Sequence, residues 1–431
     1  MIPRDCWPRF RSPTATRVAI AGVYALVLLL TVIEVARSVA RGDRLDYSYY
    51  PQLGEAVLAG TDPYTLPFTS WPPGFLLLGV AIALASRMSA IATLAVWQLG
   101  SVLAAWGTLK LLAKWFDPEG GQPSFWPRSP DRLAFVSAPI LAPFLLAIRP
   151  FQDNVLHGQI NTQLLFLSLF AFERFRTGRA VSGGVALALA ATLKAVPVLL
   201  VGYFVYKRAW RAVGWTVAFL VLLNVVIPVG IFGAGAVAHQ WHAWRAVVGA
   251  EMLVPAAHHP NQALLSAMKR YLSIAGTSDD PIHVTLASLS TAGVVRLFWI
   301  VAWLGALGLA AAFWRNPRDL SDPRCAGEVA ICVAAMTLVS PIAWIAHFVT
   351  VVAPAALVCA GLRRLPRDSA RRRYGWVLWW AAFACLTFSA SAWVGWTWAE
   401  RLESLSVITL AGLILVGLGV SLLPRLAPGE R

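Results

Sequence analysis

The chain has 431 residues, 58% hydrophobic and only 13% charged, with a formal net charge of +15 and a mean hydropathy of +0.64. That balance lies outside the range of soluble domains and makes the bilayer the main solvent. The surplus of positive charge does not point to nucleic acid, because the basic residues stand in short clusters beside apolar runs, where they set membrane orientation.

Taken in chain order, Arg4, Arg9, Arg11 and Arg17 precede an apolar run over 18–36 that is too long for a cleaved signal peptide, so a retained first span is expected. Further basic clusters at 114–132, 174–179, 207–211, 315–324 and 363–373 mark the cytoplasmic side, and the chain between two marks must leave and return. Residues 133–148 go out and 161–172 return; 212–232 go out and 297–314 return. The runs 328–339 and 348–362 form another pair, as do 376–396 and 405–423. Both termini then lie inside, and the expected architecture is an all-α polytopic membrane protein of about 12 spans.

Two intervals break the rule. The stretch 180–206 has 27 residues between two inside marks, too few for two full spans, which predicts shortened helices turning near Lys194 and Pro197. The interval 72–112 must cross an odd number of times yet holds two apolar runs, 75–85 and 91–112. One of them is re-entrant or interfacial, and the sequence leaves open which.

This topology collects polar chemistry on the outer face. The loop over 41–71 holds Asp43, Asp46, Glu55 and Asp62 among Tyr47, Tyr49, Tyr50 and Tyr64, and the loop over 149–159 adds Asp153, Asn154 and His157. A long loop over 233–295 contains His239, His242, Glu251, His258, His259, Asn261 and Gln262. Mid-chain turns bring Lys194 and the segment 340–347 to the same side. Irregular polar backbone at membrane depth needs a protein- or water-lined cavity, so a cavity is expected there.

The five cysteines, Cys6, Cys325, Cys332, Cys359 and Cys385, have no CxxC spacing and indicate neither a disulfide framework nor a zinc module. No HExxH, DxD or paired-His spacing is present either, and no metal or other cofactor is expected. We read the chain as one integral membrane domain, 1–431, with a core over 18–354 and appended C-terminal helices over 375–423.

Several segments, in order, resemble the integral membrane mannosyltransferases of glycosyltransferase family 87, within the GT-C superfamily. They are Asp46-Tyr47, Tyr49-Tyr50, Gly60-Thr61-Asp62-Pro63-Tyr64, Trp71-Pro72-Pro73, His157-Gly158-Gln159-Ile160-Asn161, Leu193-Lys194-Ala195-Val196-Pro197, Asn261-Gln262 and Ser340-Pro341-Ile342-Ala343-Trp344 with His347. One departure is Ala346, where many relatives have a second His beside His347. The resemblance implies a polyprenyl-phosphate sugar donor, with mannose favoured, and a glycolipid or glycan acceptor. It also implies a site on the periplasmic or exterior face of the plasma (inner) membrane.

Such a transfer needs a base, cations for the departing lipid phosphate, and groups that read sugars. Asp46, which matches the family's catalytic aspartate, is the expected base. Asp62, before Pro63, reads as a turn carboxylate. Lys194 is the leading phosphate ligand, because an ammonium in an apolar stretch costs about 2.5–3.5 kcal/mol on insertion and is normally functional. Arg149 and His347 follow it, as phosphate ligands or as local hydrogen-bonding residues. Tyr49, Tyr50 and Trp344 would contact substrate, while Gln159, Asn161, Asn261 and Gln262 would read sugar hydroxyls or cap helices. One strong base and no second carboxylate nucleophile imply direct displacement with inversion. The rival reading is a multi-span transporter or flippase, which predicts an internal repeat; the two halves show none.

Overall fold

The computed structural model describes Leu29 and residues 46–67, 69–117, 138–253, 258–273 and 281–426. The run over 18–36 expected as the first span lies, apart from Leu29, outside them, as do Asp43 and Cys6. Among the described residues the chain is built from helices and turns alone, as a lipid environment requires of a backbone that must satisfy its own hydrogen bonds.

A 3₁₀ turn, Asp46–Ser48, leads into α1, Tyr49–Leu58. Helix α2, Phe75–Phe116, contains both apolar runs of the ambiguous interval and breaks at Ser89, whose φ −162° and ψ 106° are extended. The two runs are therefore successive helices joined at one residue, the first packed against α1. Helices α3, Ala138–Leu146, and α4, Ile148–His157, follow, and α5, Asn161–Arg176, turns away from α4 by 118°. The turn is made at Gly158 with φ 65°, a left-handed cap that glycine adopts without steric cost.

Helix α6, Ala180–Leu193, stops at Lys194, and the chain passes through a 3₁₀ turn at Val196–Val198 into α7, Leu199–Tyr206. The short, broken pair expected around Lys194 and Pro197 is present. Helix α8, Trp210–Phe232, carries a π turn at Leu222–Val226. The outer segment then forms α9, Ala234–Leu253, and α10, Leu264–Leu272. Helices α11, Thr291–Phe313, and α12, Pro323–Val339, precede a 3₁₀ segment, Ile345–Val351, that runs into α13, Val352–Arg364. The chain ends in α14, Ala370–Phe383, α15, Ser391–Val394, α16, Trp396–Ser404, and α17, Val407–Leu422.

Five described helices are long and apolar enough to cross a bilayer, six with the bent α4–α5 pair, so the chain is a multi-pass membrane protein. Burial sorts them. The apolar window over Ile345–Arg364 is 89% buried, against 11% for α11 and 17% for α8. The first is the central post of the bundle, and the other two present their side chains to lipid. At the basic end of the bundle, Lys207 and Glu328 form an ion pair that is 1% and 0% exposed. Tyr203 Oη and Asn316 Nδ2 donate to the same carboxylate at 2.7 and 2.8 Å, so a charge with no access to water is compensated on every side.

Candidate active site

The site begins with an aromatic cluster. Tyr50, 2% exposed, meets Tyr47, Trp71, Phe75 and Trp97 at ring-centroid distances of 5.8, 5.3, 5.5 and 5.1 Å. Edge-to-face arrangements dominate, which adds to the burial energy. Trp97 Nε1 donates to the Gly158 carbonyl at 2.7 Å, so the cluster ties the Asp46 turn to the α4–α5 bend. The Tyr-rich flanks fold this way because α1 and α2 touch at Gly54 and Gly79, where a Cβ on Gly54 would stand 2.1 Å from the Gly79 carbonyl oxygen.

Asp46 projects from that platform. Gln159 Nε2 donates to its Oδ2, and Gln159 Oε1 in turn accepts from Asn161 Nδ2 at 2.6 Å. Asn154 locks the bend: its Nδ2 donates to the Gln159 carbonyl at 2.9 Å and its Oδ1 accepts from the Asn161 amide at 3.0 Å. Burial lifts the Asp46 carboxyl above the ordinary carboxylate range; His157, the Gln159 hydrogen bond and Lys194 pull it back. A carboxylate made more basic in this way is suited to accept a proton.

Opposite stands the break after α6. Lys194 Nζ is hydrogen-bonded to His347 Nε2, and the charges of Glu251 and Asp46 both act on the ammonium. His347 Nδ1 is buried without a hydrogen-bond partner among the described residues. Lys194 and His347 line a small cleft of about 40 Å³ together with Asn161, Ser168, Thr337 and Ser340. Of the sequence-predicted residues, Lys194, His347 and Asn161 line the cleft, and Asp46 and Gln159 reach its wall through the Asp46–Gln159 and Gln159–Asn161 hydrogen bonds. An acid, two basic groups and a cavity suit proton abstraction beside a stabilised anion.

The other predicted residues have different placements. Asn261, 1% exposed, and Gln262, 0%, spend their polar atoms on the protein. Asn261 Oδ1 accepts from the amides of Ala263 and Ala343 at 3.1 and 3.0 Å. Gln262 Nε2 donates to the His259 and Glu403 carbonyls at 2.6 and 2.8 Å, and its amide donates to the Ala343 carbonyl at 2.8 Å. The two clasp the Ser340–Trp344 segment, each side-chain donor and acceptor having a partner within the protein. Arg149 is also engaged away from the cleft, donating to Glu403 and, at 2.7 Å, to Ser389 Oγ, which is the local role. Tyr50 is walled by aromatic rings and supports the site from behind; Tyr49 is half-buried on the next position of α1. Trp344 is half-buried, edge-on to His258 at 6.5 Å. Asp62 is the turn carboxylate expected, accepting from the Tyr64 amide at 2.9 Å.

One residue was not singled out. Glu251, near the end of α9, is within charge range of Lys194 and is hydrogen-bonded by Ser70. Burial pushes its carboxyl up to about 7, with Lys194 and Ser70 opposing the rise. The sequence did carry a signal, since Glu251 is the single acidic residue between Glu173 and Asp279. Among the described residues, no three His, Cys, Asp or Glu side chains gather closely enough to hold a metal ion.

Comparison with known proteins completes the description. A polyprenol-phosphate-mannose-dependent alpha-(1-2)-phosphatidylinositol mannoside mannosyltransferase of Mycobacterium tuberculosis (strain ATCC 25618 / H37Rv) is 25% identical over 429 residues, covering 89% of this chain and 86% of its own length. The protein of the same name from Mycolicibacterium smegmatis is 26% identical over 378 residues, covering 82% of this chain and 75% of its own. The sequence profile of glycosyltransferase family 87 matches residues 68–341. That match includes the α4–α5 bend and the Lys194 break, and with more than half of its length inside it the chain belongs to glycosyltransferase family 87.

Proposed function

We propose that this glycosyltransferase moves mannose from a polyprenyl-phosphate donor to a hydroxyl of a mannosylated phosphatidylinositol or a similar glycolipid, at the exterior face of the plasma membrane. The observation that carries the reading is the hydrogen-bonded chain from Asp46 through Gln159 to Asn161, on the wall of the cleft that Lys194 and His347 also line. The names of the two mycobacterial relatives support the donor and acceptor classes, and the arginine-marked loops support the orientation.

In this reading Asp46 takes the proton of the acceptor hydroxyl as its oxygen attacks the anomeric carbon. The bond from that carbon to the phosphate oxygen breaks on the opposite side, and its electron pair leaves on the lipid phosphate. Lys194 and His347 face the charge that develops there. A single displacement inverts the anomeric centre. Gln159 holds the Asp46 carboxylate in place, and Asn161 holds Gln159.

The test is incubation of the purified protein in lipid with radiolabelled polyprenyl-phosphate mannose and phosphatidylinositol mannosides of defined size. We expect a product one mannose longer, and no product from folded Asp46→Asn. Absence of transfer across acceptors, or a fully active Asp46→Asn, overturns the reading.

A further inference from the structure

Helices α5 and α6 enclose an open groove of about 620 Å³ beside the basic segment 174–179, and none of its lining residues lines the cleft of Lys194 and His347. Its floor is apolar, with Leu167 and Phe170 on α5 and Val185, Ala186 and Leu189 on α6. Its mouth is formed by Gly178, Arg179, Ala180 and Ser182. From Ala180 to Leu189 the helix rises by about 14 Å, close to half of a hydrocarbon core about 30 Å thick. The groove therefore matches the depth of one leaflet, with its polar end at the level of that leaflet's headgroups.

The mouth is suited to an anion. Arg174 Nε donates to Ser182 Oγ at 2.8 Å, and the guanidinium lies over the Phe170 ring at 5.5 Å. Ser182 Oγ donates in turn to the Arg179 carbonyl at 3.1 Å. A cluster that merely marked topology would splay its arginines into water, whereas Arg174 is folded onto two residues of the groove wall. Among the described residues, Arg176 is paired with Glu173 at 3.4 Å, while Arg174 and Arg179 have no acidic partner. Two guanidiniums thus stand beside an apolar channel with their charge unmet by protein, and α6 directs the positive end of its dipole the same way. A zwitterionic lipid brings no net charge to that mouth. A lipid with a phosphodiester and no amine does, and its phosphate oxygens suit guanidinium donors.

We propose that the groove between α5 and α6 is a binding site for an acidic phospholipid of the leaflet at the basic end of the bundle. One acyl chain lies along Leu167, Phe170, Val185 and Leu189, and the phosphate meets Arg174 and Arg179. The site is separate from mannose transfer and does not rest on that reading.

The test is photo-crosslinking of the full-length protein in phosphatidylcholine nanodiscs. These carry, at low mole fraction, phosphatidylglycerol or phosphatidylcholine with the same photoactivatable acyl chain, and labelled peptides are identified by mass spectrometry. The peptides holding residues 167–170 and 185–189 are expected to take the acidic probe over the zwitterionic one by about 25-fold, about fivefold from each arginine. Arg179→Gln, at an exposed position, lowers the preference about fivefold, and Arg174→Gln combined with it brings the ratio near unity. Leu189→Trp, also exposed, fills the groove and reduces label from both probes. Arg211→Gln, in the neighbouring basic cluster, leaves the ratio unchanged. Equal labelling by the two probes in the wild type overturns the inference, as does a preference that survives Arg174→Gln with Arg179→Gln. Absence of label from the groove peptides overturns it too, by showing that the chain itself fills the groove. A polyprenyl phosphate bearing the same photoactivatable group, if it takes the groove ahead of phosphatidylglycerol, assigns the site to the lipid of the transfer reaction and equally sinks the proposal.

Discussion

A carboxylate that is to accept a proton must start ionised, so the surroundings of Asp46 set the acid edge of activity. Burial raises its pKa and the hydrogen bond from Gln159 lowers it. Gln159→Leu deletes the lowering contribution, and the acid limb of kcat/KM is expected to move to higher pH, because activity falls as pH drops through the pKa of the base. Asp46→Asn removes the base itself, with an expected loss of about 10²–10⁴-fold in kcat and an unchanged thermal transition. Asn261 behaves differently: Asn261→Ala strips a buried acceptor from two amides, and should cost about 1–3 kcal/mol of stability. Detergent-solubilised unfolding would show that loss, whereas a donor KM that rises with stability unchanged would restore Asn261 to the sugar-reading role. Residue by residue, motif order picked out Asp46, Gln159, Lys194 and His347 as candidates. It did not separate Asn261 and Gln262 from them, because an amide that clasps backbone and one that reads a hydroxyl look alike until their partners are seen. Glu251 was legible as a lone acid in a long neutral and basic stretch, but without the path of α9 nothing linked it to Lys194.

At the scale of elements, the apolar runs and arginine marks located α5 to α8, α11 to α14 and α17 to within about two turns, whereas α9 and α10 lie in the stretch 233–295 expected as a loop and α16 was not anticipated. The broken pair at Lys194 was legible for the same reason, since 27 residues between two inside marks leave room for little else. The interval 72–112 was not legible, because nothing in composition signals that Ser89 alone separates two helices. What fixes the first of those helices is its contact with α1 at Gly54 and Gly79, a close approach of small residues of the sort that packs helices in membranes. Gly54→Ala places a methyl against the Gly79 carbonyl and must push α1 outward, with an overpacking cost of about 1–3 kcal/mol. Asp46 lies in the turn that enters α1, so the same substitution is expected to lower kcat as well as stability. Gly79→Ala is the milder partner, its nearest contacts being 3.3 Å away. Equal loss in the two variants would show that the α1–α2 contact does not set the position of Asp46.

At the scale of the whole molecule, the C-terminal helices pack into the same apolar core as α12 and α13, and one carboxylate ties them to the rest by polar contacts as well. Glu403 at the end of α16 accepts from Arg149 on α4 and meets His259 Nδ1 at 3.2 Å, while its backbone carbonyl accepts from Gln262. Two segments, α4 and the stretch before α10, are thereby tied to one residue that lies outside the span matched by the family profile. With side-chain exposures of 13% for Arg149 and 8% for Glu403, breaking the pair strands a charge that water barely reaches. Glu403→Ala is expected to destabilise the protein by about 3–5 kcal/mol, whereas replacing both partners with apolar residues of similar volume, Arg149→Met with Glu403→Leu, should recover most of that loss. Mannose transfer in the double variant then separates the two roles that Arg149 was given. If Arg149 serves only to brace α4, the recovered protein is active; if it also met the donor phosphate, stability returns and donor KM stays high. Thermal unfolding and donor kinetics on the same four proteins of the mutant cycle decide between them, because the coupling energy between Arg149 and Glu403 measures the brace independently of catalysis.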